Sequence, residues 1–342
     1  MYKYLFFNDY SEGAHPKILE ALQKTNLDQE TGYGLDSISM KAADLIKAKC
    51  MADADVHFVS GGTQANLLML AMMMRPHESV IAADTGHINV HEAGAIESTG
   101  HKINTVPNVN GKLTVEGIEA IVKSHRDEHM VKPKVVFVSQ STELGTIYSK
   151  QELEEISAYC RNNGIYLYLD GARLGSALCS KEADLDLADI AGLVDAFYIG
   201  GTKNGALLGE AIVIVNDDLK REFRYHLKQR GALLAKGRVL GAQFLALFEG
   251  DLYFQLAAHA NAMADKLRDG IAEAGFGFLV RSSTNQVFSI LPNKVIEELK
   301  ELYGFYVWAK VDEENSAIRL VTSWATSGEK VEKFLQDLRA RA

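Results

Sequence analysis

The chain reads as an α/β protein with a mostly parallel sheet flanked by helices, followed by a smaller α+β lobe. Two observations predict this. Between residues 56 and 215, short apolar and β-branched runs alternate with helical patterns of about ten residues or more, the signature of right-handed strand-helix-strand crossovers. After Gly275-Phe276-Gly277 the alternation gives way to short strands and two helices. At 342 residues the chain also exceeds the length, about 250–300 residues, at which a single core usually stops growing. The expected divisions are an N-terminal arm over 1–35 that packs on the large domain or a partner, a large α/β domain over 36–250, and a linking helix with a small domain over 251–342.

The arm looks irregular apart from a helix over 16–24, which Pro16 is placed to start. Within it, Gly32-Tyr33-Gly34 sets an aromatic ring between two flexible residues, which suits either a close approach to a ligand or neighbouring chain or a simple surface turn. A helix over 39–50 and a strand over 56–59 follow, and the strand runs into Ser60-Gly61-Gly62-Thr63-Gln64-Ala65-Asn66 and a helix to residue 74. Strand, glycine turn and helix start in that order leave backbone N–H groups and hydroxyls where a phosphate dianion can sit, although glycines also serve as plain caps. The dinucleotide fingerprint is absent, because its third glycine is missing.

A strand over 79–83 ends near His87, and a helix is expected over 92–98. His87 follows a strand end rather than lying on an apolar face, so its ring is placed to stack on a flat group or accept a proton. His91 and Glu92 lie close by, but the spacing is not that of a metal site, and none is assigned. Strands over 102–106 and 134–139 alternate with helices over 114–125 and 150–162, and Gln140 to Thr146 form a glycine-containing loop between them.

Tyr166-Leu-Tyr-Leu-Asp170-Gly-Ala-Arg173 and Ala196-Phe-Tyr-Ile-Gly-Gly-Thr-Lys203-Asn-Gly are each apolar runs that break at a charge. Such runs are buried parallel strands, and residues just past their C-terminal ends face the crevice where open α/β sheets hold ligands. A carboxylate at one strand end and a lysine at another suit pyridoxal phosphate. The amine can bond the cofactor aldehyde, while the carboxylate keeps the pyridine nitrogen protonated so that the ring draws electrons from a carbanion. Taken singly, Asp170 reads more readily as a helix cap and Lys203 as a wet loop residue; the pair, with the glycine-rich segment, favours the cofactor.

A strand over 211–215 returns soon enough to pair antiparallel with its predecessor. Helices are expected over 217–229, 235–248 and 251–273, then strands over 278–281, 286–291, 305–310 and 317–322 with helices over 294–302 and 328–338. Arg319 interrupts an apolar strand and needs an anion there, either a substrate carboxylate or an internal acidic partner. Trp324 reads as a core residue.

Composition narrows the partners. A net charge of −9, from 36 basic and 45 acidic side chains, gives no reason to hold a phosphate backbone, so nucleic acid is not expected. No run reaches the roughly 18–20 apolar residues needed to cross a bilayer, and the N-terminus lacks a signal-peptide pattern. Cys50, Cys160 and Cys179 show no metal-ligand spacing, which fits a reducing, cytoplasmic setting.

These pieces resemble the threonine aldolases of the β-eliminating lyase superfamily, over nearly the whole chain. The most specific matches are Ser60 to Asn66, His87-Ile-Asn-Val-His-Glu-Ala-Gly-Ala, Leu169 to Arg173 and Gly201-Thr-Lys-Asn-Gly. The resemblance implies the aspartate-aminotransferase-like fold, type I among pyridoxal phosphate enzymes, with a seven-stranded sheet. It makes Lys203 the Schiff-base lysine, Asp170 the partner of the pyridine nitrogen and His87 the residue that stacks on the ring and moves the substrate proton. Arg173 falls near the phenolic oxygen, Gly62 and Thr63 at the phosphate, and Arg238 at a further phosphate contact. Arg319 matches the arginine that receives the substrate carboxylate, with Asn8 and Tyr33 as further substrate contacts.

The chain departs from the family pattern at Thr202 and Asn204 around the lysine, at Ser323 where a histidine is common, and at Asn8 where a serine is usual. The resemblance implies retro-aldol cleavage of an L-β-hydroxy-α-amino acid, of threonine or allo-threonine type, to glycine and an aldehyde. A phenylserine aldolase, β-elimination and transamination are the alternatives. It also implies a homodimer or homotetramer with sites at the subunit interface.

Overall fold

The structure, a computed structural model, describes residues 2–341. Its strands in chain order are β1 (Tyr4–Leu5), β2 (Asp55–Val59), β3 (Glu78–Ala83), β4 (Lys102–Val106), β5 (Lys132–Ser139), β6 (Tyr166–Asp170), β7 (Ala196–Gly200), β8 (Glu210–Ile214), β9 (Gln286–Pro292), β10 (Tyr303–Gly304), β11 (Tyr306–Lys310) and β12 (Asn315–Val321). Seven of them form the main sheet in the order β2-β8-β7-β6-β5-β3-β4. All neighbours are parallel except β8, which is antiparallel to both β7 and β2.

Helices cover both faces, so the central strands are apolar throughout rather than alternating. Alternate residues of one strand enter separate cores. Val136, Val138, Leu167, Leu169 and Phe197 pack on one face, with helices Ser37–Cys50, Lys150–Asn162 and Arg238–Phe248. Val135, Phe137, Tyr168, Tyr198 and Ile212 pack on the other, against helix Gly62–Met73. Asp170 shares the parity of Tyr168 and therefore belongs to this second face.

The three-stranded antiparallel sheet β11-β12-β9 and helix Gly328–Arg339 enclose a third core that includes Val287, Ile318, Leu320 and Phe334. Helix Leu252–Glu273 gives Tyr253 and Leu256 to the large core and Leu267 and Ile271 to this smaller one. The small C-terminal α+β unit is thus joined to the α/β layer by a helix embedded in both.

Several expected elements differ. The segment over 278–281 makes only an isolated bridge, Phe278 to Ser289, because the chain turns away so that Ser282 and Thr284 can bond the Gly145 carbonyl at 3.0 and 2.9 Å. In place of a helix over 92–98 there is a short helix His87–Val90 and a 3-10 turn Glu97–Thr99, since Ala93 and Gly94 adopt left-handed φ of 51° and 74°. The helix over 217–229 breaks at Glu222, whose φ is 59°. β1 was not expected; it pairs parallel with β10 and ties the N-terminal arm to the small unit.

Candidate active site

The strand directions bring six segments to one sheet edge. β3, β5, β6 and β7 run parallel and end there, β2 ends there as well because two antiparallel pairings separate it from β7, and β8 starts there. The edge therefore collects Ser60 to Thr63, His87, Ser139 to Glu143, Asp170 to Arg173, Thr202-Lys203 and Glu210. This is the crevice where sheets of this kind hold ligands.

A cavity of about 310 Å3 opens at this edge, lined among others by Gly62, Thr63, His87, Asp170, Arg173 and Lys203. Helix Gly62–Met73 points its N-terminus into it, with Gly61 as a cap that offers no side-chain acceptor, so the first N–H groups stay available for an anion. A Cβ on Gly62 would lie 2.9 Å from the Tyr198 hydroxyl, so that position has room only for glycine.

Asp170 is buried and held on three sides. Its Oδ1 accepts from the Tyr198 hydroxyl at 2.6 Å and the Ala172 amide at 3.0 Å, and its Oδ2 accepts from Asn66 Nδ2 at 3.0 Å. Asn66 also donates to Glu92 Oε1 at 2.7 Å, and the same oxygen lies 2.8 Å from His87 Nδ1. Ring orientation at His87 is thereby tied through Glu92 and Asn66 to the carboxylate at the sheet edge.

Lys203 sits in the β7–β8 connection, where Gly205 takes the left-handed φ of 90° and Asn204 is anchored to the Tyr253 carbonyl at 2.7 Å. Burial, and then Arg173, pushes the Lys203 amine below its ordinary pKa, while Asp9, Asp170 and Glu210 oppose the shift. Glu210 accepts from the Gly201 amide at 2.9 Å, and burial raises its carboxyl. Both shifts favour the neutral forms, and a neutral amine is the nucleophilic one.

Arg173 grips Asp9 through two bonds, Nε to Oδ2 at 2.7 Å and Nη2 to Oδ1 at 3.1 Å. Burial would raise the Asp9 carboxyl, but Arg173 and then Lys203 outweigh it and hold the group below the usual carboxylate range.

A second cavity of about 420 Å3 adjoins the first, and Tyr10, His87, Glu143, Arg173 and Lys203 line both. Its far wall holds Arg319 on β12. The guanidinium carbon lies 5.3 Å from the Tyr306 ring centre and 5.0 Å from that of Trp308. Its Nε has no partner, its Nη2 reaches only the Phe7 carbonyl at 3.4 Å, and no carboxylate among the described residues pairs with it. The internal salt bridge considered from sequence is therefore not formed.

Three predicted site residues do not reach these cavities within one chain. Asn8 folds its carboxamide onto its own turn, accepting from the Tyr10 amide and the Ser11 hydroxyl, both at 3.0 Å. Tyr33, 43% exposed, lies at the rim of a separate cavity with the Lys228 amine 4.8 Å from its ring centre. Arg238 donates to the Asn26 and Asp28 carbonyls on an exposed surface, away from Gly62 and Thr63. Ser323, expected beside the pocket, is buried, bonds Glu12 at 3.1 Å and is not among the residues that line the two cavities. Trp324 packs against the core and His15.

The sequence reading passed over Asp9, Asn66, Glu143, Tyr198 and Glu210. Asn66 carried a readable signal, an amide inside the apolar helix run Ala65-Asn-Leu-Leu-Met-Leu. The acidic residues resembled any others on loops and strand starts.

A doubly wound sheet with a lysine and a carboxylate at its C-terminal edge is the architecture of the aspartate-aminotransferase-like fold. Aspartate aminotransferase from Thermus thermophilus superposes with a TM-score of 0.75 at 14% identity, covering 100% of this chain and 92% of that one. A family model described as beta-eliminating lyase matches residues 9–294, and the chain belongs to that family. It is 36% identical to the low specificity L-threonine aldolase of Pseudomonas aeruginosa, over 98% of this chain and 96% of that protein. The solved structure of a threonine aldolase from Leishmania major is similar throughout, with 50% identity, a TM-score of 0.97 and 99% of each chain covered.

Proposed function

We infer that the chain is a pyridoxal-phosphate-dependent aldehyde-lyase that cleaves a threonine-type β-hydroxy-α-amino acid to glycine and an aldehyde. The supporting observation is the meeting of Lys203 and Asp170 in one cavity beside an uncapped helix N-terminus, in a chain whose relatives over nearly its full length are named threonine aldolases.

The residues fit the cofactor. Gly62, which has no room for a Cβ, and Thr63 would hold the phosphate against the helix N–H groups. Asp170, fixed by Tyr198, Asn66 and Ala172, would face the pyridine nitrogen. Lys203 would bond the aldehyde carbon, His87 would lie against the ring, and Arg173 would approach the phenolic oxygen. Bound there, the cofactor supplies an electron sink for the carbanion left at Cα when the Cα–Cβ bond breaks.

Arg319 would orient the substrate. Its guanidinium has no carboxylate partner among the described residues, is backed by two aromatic rings, and lines the same cavity as Lys203. A carboxylate held there fixes which Cα bond lies toward the cofactor. Asn8, its carboxamide folded onto its own turn, would support Arg319 only through the adjoining Phe7 carbonyl that the guanidinium reaches. Tyr33 and Arg238, remote within one chain, would act on the cavity of a second copy, which makes the working form a homodimer or homotetramer.

Absorbance of the purified protein with added cofactor tests the reading, together with product analysis after L-threonine, L-allo-threonine and L-phenylserine. Glycine and the matching aldehyde are expected. A keto acid with ammonia identifies elimination instead, and conversion of the cofactor to its amine form identifies transamination. The Lys203→Ala variant should lose the visible band of the wild-type complex, and an unchanged spectrum would remove the lysine assignment.

A further inference from the structure

Glu143 lies where the two cavities join and has no part in the assignments above. It follows β5 and lines both cavities together with His87 and Lys203. Its Oε1 accepts from the His87 backbone amide at 2.9 Å and from the Ser139 hydroxyl at 2.8 Å. Both of these bonds fall on Oε1. His87, by contrast, already directs Nδ1 to Glu92 at 2.8 Å, an arrangement that fixes the ring.

Resting on the functional reading above, we propose that Glu143 is the catalytic base that takes the proton from the substrate's β-hydroxyl, with His87 limited to packing and orientation. The step balances within the substrate. The hydroxyl proton passes to the Glu143 carboxylate, the O–H electron pair becomes the second bond of the aldehyde carbonyl, and the Cα–Cβ pair stays at Cα. A proton delivered to Cα then gives glycine, and Glu143 releases its proton to Cα or solvent to complete the cycle.

The surroundings suit the task. Burial raises the carboxyl above the ordinary glutamate range, and the Asp170 charge adds to the rise, against bonds from its own backbone amide, Ser139 and His87 that lower it. Other titratable groups around it are His87, Tyr10, Arg173 and Lys203, which line both cavities with it, Asp170, Tyr198 and Glu210 in the first, His91, Tyr306 and Arg319 in the second, and buried Tyr148. A carboxylate of raised pKa is a better proton acceptor than an exposed one. The bonds on Oε1 also explain how the base is held. Ser139 closes β5 and His87 opens the short helix after β3, so two neighbouring strands aim the same side chain.

The experiment compares Glu143→Gln with His87→Phe in the holoenzyme. Glutamine keeps the Oε1 acceptor for Ser139 and His87 but cannot take a proton, so the fold and the visible spectrum should persist. Cleavage of L-threonine or L-allo-threonine should fall by about 10²- to 10⁴-fold, the usual size of general acid–base contributions. Exchange of the glycine α-proton, which involves no β-hydroxyl, should fall far less. Phenylalanine at position 87 keeps a flat ring without an acceptor and should cost less than Glu143→Gln. In the apoprotein, an infrared difference between wild type and Glu143→Gln should show a carboxyl that titrates above the usual glutamate range. Equal losses of cleavage and exchange in Glu143→Gln, near wild-type cleavage by it, or a larger loss in His87→Phe would overturn the assignment. Failure of the wild type to yield glycine and aldehyde removes the parent reading as well, whereas a cleaving wild type beside an unaffected Glu143→Gln removes this assignment alone.

Discussion

The Tyr198 hydroxyl donates to Asp170 Oδ1 at 2.6 Å across neighbouring strands β7 and β6, and the same hydroxyl is what a side chain at Gly62 would strike. One phenol therefore links the proposed phosphate cradle to the proposed pyridine partner. Burial, and then the Asp170 charge, keeps that phenol protonated far above neutral pH, so it acts as a donor.

Tyr198→Phe should destabilise the apoprotein by about 1–3 kcal/mol, because a buried carboxylate loses a charged hydrogen bond. Urea unfolding followed by circular dichroism measures this. Gly62→Ala should displace the same hydroxyl and weaken cofactor retention on dialysis, and a variant that retains cofactor like the wild type would show that the space relaxes.

Asp170→Asn preserves the shape of the group but removes the charge expected at the pyridine nitrogen. Cofactor should still bind, as read by absorbance, while kcat for cleavage falls by roughly 10²-fold or more, the scale of losing one preorganised electrostatic group. Cleavage at the wild-type rate would break the link between this carboxylate and the reaction.

Arg319→Met should separate binding from stability. The variant loses the expected carboxylate contact, so kcat/KM should drop by about 10²- to 10⁴-fold, equivalent to about 3–6 kcal/mol for two charge-assisted bonds. Burial works against the arginine's charge, with nearby Arg173 adding to the penalty, so removing it should leave thermal stability equal or higher. A strongly destabilised but fully active variant would assign Arg319 a structural part instead.

The Asp9–Arg173 pair predicts a pH dependence of stability. The Asp9 carboxyl is depressed in the folded chain below its unfolded value of 3.8. Its stabilisation is therefore fully present above the unfolded value and is lost as pH falls through the lower folded one. Asp9→Asn should cost roughly 3 kcal/mol at neutral pH by leaving Arg173 buried without its counter-charge. In urea titrations that gap should narrow below about pH 4, and a gap that stays constant to acid pH would show that the pairing carries no charge linkage.

Much of the edge was legible in the sequence because buried parallel strands announce themselves as apolar runs, and Asp170 and Lys203 stand where such runs stop. The phosphate turn was legible for the same reason. Glu210 was not: the antiparallel return of β8 was expected, but Glu210 is the strand's first residue, just before the apolar run, where an acid looks the same facing the edge or solvent. Glu143 and Asp9 lie on irregular segments, where an acid looks the same facing solvent or a cavity. Tyr33 and Arg238 matched the family motif, yet their geometry within one chain leaves them on separate surfaces.

The reversal of β8 has a genetic corollary. Glu210 stands opposite Gly200 on one side and Val59 on the other, so the hairpin that carries Lys203 is clamped at both ends. Adding or deleting a single codon between residues 201 and 209 would either turn the strand inside out or drag the amine off its mark. Laboratory libraries should tolerate many letter changes in this stretch and almost no change in its length.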